Sequence, residues 1–100
     1  LGVSVLEAAN GQQAIEVALS QRPNAVLMDM EMPVVAGAEA TRTLRMCGFT
    51  APVLALTAHR NEEQHKLALA AGCNAILEKP LVRAALVSAL SVALASGARR

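Results

Sequence analysis

The sequence predicts an α/β domain: a parallel sheet with helices on both faces, in the order β-α-β-α-β-α-β-α. Three observations predict it. Short apolar runs alternate with stretches of helical period along the whole chain. The connections between them are short and no linker interrupts them, and such alternation implies parallel strands joined by helical crossovers. Three of the apolar runs also end on a polar residue, namely Asp29, Thr57 and Lys79. In a parallel sheet those three ends share one edge, where ligands and chemistry gather in open α/β sheets.

The elements follow in order. Val3 to Ala8 alternates and is valine-rich, so it reads as a strand that Asn10-Gly11 ends. Gln12 to Ser20 places Ala14, Ile15, Ala18 and Leu19 on one helical face, and Pro23 closes it. Ala25 to Met28 is the second strand, emptying into a loop through Pro33 and Gly37. A helix from about Ala38 to Met46 carries Glu39, Arg42 and Arg45 on its charged side, with Glu39 and Arg42 at a spacing where opposite charges meet. Val53 to Leu56 is the third strand, opened by Pro52 and ended by Thr57.

Asn61 is the expected N-cap of a third helix reaching about Ala71, with Glu62 and Glu63 in the first turn, where the helix dipole favours negative charge. Gly72 stops it. Ala75 to Leu77 forms a short fourth strand before Lys79-Pro80. The last helix runs from Leu81 to about Ser96 and is apolar on most sides, which predicts cover on more than one side.

Composition narrows the function classes. One hundred residues make one domain, and a chain 54% hydrophobic with 17% charged residues is far from disorder. The net charge is +1, the basic residues are scattered, and Phe49 is the only aromatic. Basic patches and base-stacking platforms are therefore both missing, so direct nucleic-acid binding is not expected. No apolar segment reaches the roughly 18 uninterrupted residues of a membrane span, so no membrane contact is expected of this domain. Cys47 and Cys73 form neither a CxxC pair nor a metal cluster, and both read as buried thiols of a reduced, cytoplasmic domain. His65 reads as a solvated mid-helix residue, His59 follows the Thr57 loop, and no Gly-rich nucleotide loop is present, which disfavours a small-molecule enzyme.

A carboxylate, a hydroxyl and an ammonium converging on one edge suit phosphoryl transfer to a carboxylate. Asp29 would be the nucleophile that forms an acyl phosphate. Lys79 would offset charge on the phosphoryl oxygens, and Thr57 would hydrogen-bond one of them. Singly, each has an ordinary explanation as a turn, strand-end or surface residue. Three in order, each after an apolar run, favour the site.

These residues also carry a family resemblance. The chain resembles a response-regulator receiver domain, most of all the receivers fused to hybrid sensor histidine kinases. The matching pieces are Ala9-Asn10-Gly11, Asp29-Met30-Glu31-Met32-Pro33 with Gly37, Glu39-Ala40-Thr41-Arg42, Pro52 to Ala58, Ala71-Gly72-Cys73-Asn74 and Glu78-Lys79-Pro80. The resemblance implies a flavodoxin-like sheet and a two-component phosphorelay function. It makes Asp29 the phospho-acceptor, Thr57 the switch hydroxyl and Lys79 the conserved lysine of a cis Lys-Pro bond. It also implies Mg²⁺, held in part by Asp29 and by the main-chain carbonyl of Glu31. The phosphoryl donor would be a histidine kinase or a histidine phosphotransfer domain. Any enzymatic activity would be limited to self-catalysed phosphorylation and dephosphorylation of the aspartate.

Three departures from the family pattern qualify these expectations. The family's first strand, which ends in the acidic pair that holds Mg²⁺, and the helix after it have no counterpart here. The chain therefore reads as an N-terminally truncated, partial receiver over residues 1–100, with weak Mg²⁺ binding and poor phosphorylation in isolation. Because that strand lies between the first two strands seen here, the expectation is unpaired backbone on both of them, with self-association through those strands or the last helix. Ile76 stands where Tyr or Phe is usual, and Ala36 replaces a loop-capping Asp or Asn. The competing expectation is a pseudo-receiver that never carries phosphate and serves as a docking or dimerisation module.

Overall fold

A computed structural model describes residues 4–7, 10–31, 36–58 and 62–97. Its elements are β1 (Val5–Glu7), α1 (Gly11–Gln21), β2 (Ala25–Asp29), α2 (Gly37–Met46), β3 (Val53–Thr57), α3 (Glu62–Ala71), β4 (Ala75–Glu78) and α4 (Arg83–Gly97). The predicted order holds throughout, with boundaries shifted by one or two residues. Val3, Ala8, Pro33, His59 and the Asn61 cap lie outside the described residues.

All four strands are parallel and stand in the order β1-β2-β3-β4. This corrects the expectation of a gap between the first two. Val5, Leu6 and Glu7 pair directly with Ala25, Val26 and Leu27. The lead-in to β2 joins the same ladder: Asn24 and Ala25 both donate backbone N–H to the Ser4 carbonyl, at 2.8 and 3.2 Å. Buried backbone groups left without partners are costly, and closing the two strands on each other satisfies them.

The period-2 alternation of the strands separates two cores. Val26 and Met28 of β2 and Val53 and Ala55 of β3 face Ala14, Ala18, Ala40, Leu44 and Ala68 of α1, α2 and α3. Ala25, Leu27, Leu54 and Leu77 point the other way, onto Leu90 and Ala93 of α4. Three helices thus cover one face and one covers the other. The last helix packs on the sheet through Leu90 and Ala93 and leaves Val92 67% exposed; the cover on a second side that its composition predicts is not found among the described residues, in keeping with the missing helix that would have supplied it.

Local chemistry sets the helix ends. Asn10 caps α1, its side-chain Oδ1 accepting from the Gln13 N–H at 2.8 Å, a role the sequence reading assigned only to ending the strand. Ala36 precedes α2 with no side-chain cap bond, as its missing Asp or Asn predicts. Gly72 ends α3 at φ +115°, a conformation that L side chains rarely adopt.

Arg45 is not part of a solvated charged face. Half-buried, it donates to the carbonyls of Phe49 (2.7 Å), Ala51 (2.8 Å) and Gly72 (2.9 Å), and to Asn74 Oδ1 (2.8 Å). Its planar fork satisfies three carbonyls from two loops at once. That clamp ties the end of α2 to the chain entering β3 and β4, at the opposite edge of the sheet from Asp29.

Candidate functional site

The carboxyl edge of the sheet brings Asp29, Thr57 and Lys79 together, as their places after apolar runs predict. Asp29 is the last residue of β2 and Thr57 the last of β3, while Lys79 follows Glu78 at the end of β4. Ladder bonds carry the alignment past the strands themselves: Met30 N–H donates to the Leu56 carbonyl and Lys79 N–H to the Thr57 carbonyl, both at 2.8 Å. The Lys79-Pro80 bond is cis, as the resemblance implied.

The Lys79 ammonium lies 2.9 Å from Asp29 Oδ2, each side chain about one-third exposed. The hydrogen bond to Asp29 is the main reason that the Lys79 ammonium is held above the ordinary lysine pKa, and the carboxylate charges of Asp29 and Glu31 add to it. Thr57 is 3% exposed, so its hydroxyl is fixed by the surrounding packing rather than sampling solvent.

Glu31 was singled out from the sequence only for its main-chain carbonyl. In the structure its side chain is central. Its Oε2 accepts from Thr57 Oγ1 at 2.9 Å and its Oε1 from the Ala58 backbone N–H at 2.8 Å. Lys79 Nζ stands 3.6 Å from the same Oε1. The Glu31 backbone N–H in turn donates to Asp29 Oδ1 at 2.9 Å, fixing the turn after β2. The available signal was a second carboxylate two residues beyond Asp29, but turn geometry decides where such a side chain points.

Packing holds the Asp29 turn from the other side. A Cβ on Gly37, the first residue of α2, would lie 2.5 Å from the Asp29 carbonyl oxygen and 2.9 Å from Met30 Cα. Only glycine lets the helix approach so closely. Below Thr57 lies a small cavity of about 110 Å³, lined among others by Met30, His65, Ala68 and Ile76. His65 is therefore half-buried beside that cavity rather than solvated. Cys47 corrects another expectation: it is exposed in the turn after α2, and only Cys73 is buried. Burial pushes the Cys73 thiol pKa up, against the opposing effects of the Thr41 hydrogen bond and the Arg45 charge.

The donor set bears on Mg²⁺. Both oxygens of Asp29 and both of Glu31 are engaged by N–H, hydroxyl or ammonium groups. Among the described residues no group of three or more His, Cys, Asp or Glu is placed to hold a metal ion. As arranged, these residues do not build a divalent-cation cage on their own.

The sequence model of the response regulator receiver domain matches residues 1–91. The two-component response regulator 24 of Arabidopsis thaliana is 36% identical over 91 residues, which is 90% of this chain and 66% of that protein. The response regulator MprA of Mycolicibacterium vanbaalenii is 39% identical over 79 residues, or 79% of this chain and 34% of the relative. The chain thus spans about two thirds of the first protein and a third of the second. Among solved structures, the receiver domain of a sensor histidine kinase from Pseudomonas aeruginosa PAO1 superposes with a TM-score of 0.78 at 39% identity. That match covers 88% of this chain and 74% of the other, and the Pseudomonas domain holds a magnesium ion in its active site cleft.

Proposed function

The chain belongs to the response regulator receiver domain family, and from that membership we propose that Asp29 is the residue that accepts the phosphoryl group. Receivers are the phospho-acceptor modules of two-component signalling, and this chain is one of them. The observation that carries the assignment to Asp29 is its ion pair with Lys79 at 2.9 Å, at the edge where the Thr57 hydroxyl and the Ala58 N–H also converge.

In the transfer, a bond forms between an Asp29 carboxylate oxygen and phosphorus. The P–N bond of the donor phosphohistidine breaks, leaving its electron pair on the imidazole nitrogen. An ionised Asp29 needs no general base for this step. The protein's part is therefore to position the groups and to offset charge on the phosphoryl oxygens, through the Lys79 ammonium and the Thr57 hydroxyl.

The phosphohistidine would sit on a histidine kinase or a histidine phosphotransfer domain. The similarity to a kinase receiver and to free regulators alike supports the partner at that common level. For magnesium, Asp29 and the Glu31 carbonyl are the ligands this chain offers. Two protein ligands with a single carboxylate between them support only weak binding, and no step is assigned to the ion. Among the described residues no helix is long and apolar enough to cross a membrane; a cytoplasmic location follows from a histidine kinase or phosphotransfer domain as the donor. The pseudo-receiver reading is not favoured, because the acceptor, the hydroxyl and the lysine are all present and assembled.

The test is the rate of labelling by acetyl phosphate. Asp29→Asn should abolish a hydroxylamine-sensitive phosphoryl adduct. Lys79→Met should slow its formation on the order of 100-fold, the usual scale for removing one charge-stabilising donor. An adduct that forms at the wild-type rate in Asp29→Asn would remove the proposal.

A further inference from the structure

The assigned roles leave the Glu31 carboxylate unexplained, and its partners define what it does. Each group that would receive phosphoryl oxygens already holds this side chain: Thr57 Oγ1 at 2.9 Å, the Ala58 N–H at 2.8 Å, and the Lys79 ammonium at 3.6 Å. The same ammonium lies 2.9 Å from Asp29 Oδ2. A phosphoryl group bonded to Asp29 beside that ammonium would reach for the donors that Glu31 now occupies. We propose that the Glu31 carboxylate is an internal stand-in for the phosphoryl group, seated on its donors and displaced when Asp29 is loaded. The inference rests on Asp29 as acceptor and adds a gate to it.

Three physical points support the gate. Two carboxylate oxygens take two hydrogen-bond donors here just as two phosphoryl oxygens would, so the match is one of charge and of acceptor geometry. The two anions are mutually exclusive, because a phosphoryl group beside an ionised carboxylate would add like-charge repulsion on top of competition for the donors. The exit is open as well. The side chain of Glu31 is about one-third exposed, and its backbone is anchored separately through its own N–H on Asp29 Oδ1. The side chain can therefore change rotamer into solvent while the turn stays in place.

The consequence is quantitative. If the seated state holds about nine molecules in ten, apparent affinity for a phosphoryl mimic falls on the order of tenfold relative to an open pocket. Seated Glu31 already holds Thr57 and Ala58 by hydrogen bonds, so loading would exchange one anion for another at this segment.

The experiment compares wild type, Glu31→Ala and Glu31→Gln in two measurements, with thermal melts confirming that each variant is folded. Beryllofluoride, which joins a carboxylate oxygen as a phosphoryl mimic, is titrated while the Ala58 amide is followed by NMR, and acetyl phosphate labelling rates are measured in parallel. Removal of the stand-in should raise apparent affinity and labelling about tenfold in Glu31→Ala. Glu31→Gln, which keeps one acceptor oxygen and loses the charge, should fall between. A merely structural ion pair predicts equal or slower loading in both variants, and that result overturns the gate. Both measurements are made at saturating Mg²⁺, so that the weak metal site does not limit loading; the gate fails as well if neither wild type nor Glu31→Ala is then loaded, since removing Glu31 frees no site. Loading that survives Asp29→Asn is a separate outcome: it removes the acceptor assignment, whereas equal loading in wild type and Glu31→Ala with Asp29→Asn inert removes only the gate.

Discussion

Asp29 and Glu31 are carboxylates two residues apart, and the residues around them set different roles. Asp29 ends a buried strand and faces Lys79, while Glu31 sits in the following turn and binds donors from β3. The Lys79 interaction fixes a pH dependence. Its pKa is raised above the ordinary 10.5 in the folded chain, so the stabilisation it gives is fully present below that value. It is lost as pH rises through the folded pKa, and it stays constant across neutral pH. Being partly exposed, the pair is also weakened by salt. The cysteines offer a cleaner test. Cys73 is buried with a raised pKa and Cys47 is exposed, and the thiolate is the reactive form. Iodoacetamide at neutral pH should modify Cys47 within minutes and leave Cys73 untouched until the protein unfolds. Equal labelling of the two in the native protein, read by peptide mass, would contradict this packing.

At the scale of elements, the strand ends were legible in the sequence because each is an apolar run with a polar stop. The end of each apolar run marks the sheet edge, so Asp29 and Thr57, which close β2 and β3, and Lys79, one residue past the end of β4, could be found by counting. Glu31 could not be found that way, since its side chain lies in a turn and no periodicity describes its direction. The partners of Arg45 were hidden for a related reason. Helical spacing places it on the charged side of α2, and only the folded loops reveal the carbonyls it binds. Cys47 was misread because composition favours buried thiols while a turn after a helix favours exposure. Gly37 shows how α2 and β2 are coupled: its missing Cβ lets the helix start pack onto the Asp29 backbone. Gly37→Ala should destabilise the domain by about 2 kcal/mol through overpacking and slow labelling of Asp29 as well. Unchanged melting and labelling would show that the approach is less constrained than the geometry requires.

At the scale of the whole molecule, four parallel strands carry three helices on one face and one on the other. The alternation of elements was enough to predict this class. The pairing of β1 with β2 was not predictable from the resemblance, because strand order depends on which backbone groups must find partners, and alternation alone does not show that. The arrangement explains why the site forms at all: consecutive parallel strands end at one edge, and that edge gathers residues 50 positions apart, as in the bond from Lys79 to Asp29. One position in the entire chain, Asp29, is therefore expected to be loaded. Acyl phosphates are reduced by borohydride to the corresponding alcohol, which turns a loaded aspartate into homoserine. After acetyl phosphate treatment and reduction, peptide mass mapping of the whole chain should find homoserine at position 29, the only aspartate, with every glutamate intact; 5-hydroxynorvaline at Glu31 or another glutamate, or a phosphoryl group retained on His59 or His65 with Asp29 unchanged, would contradict it.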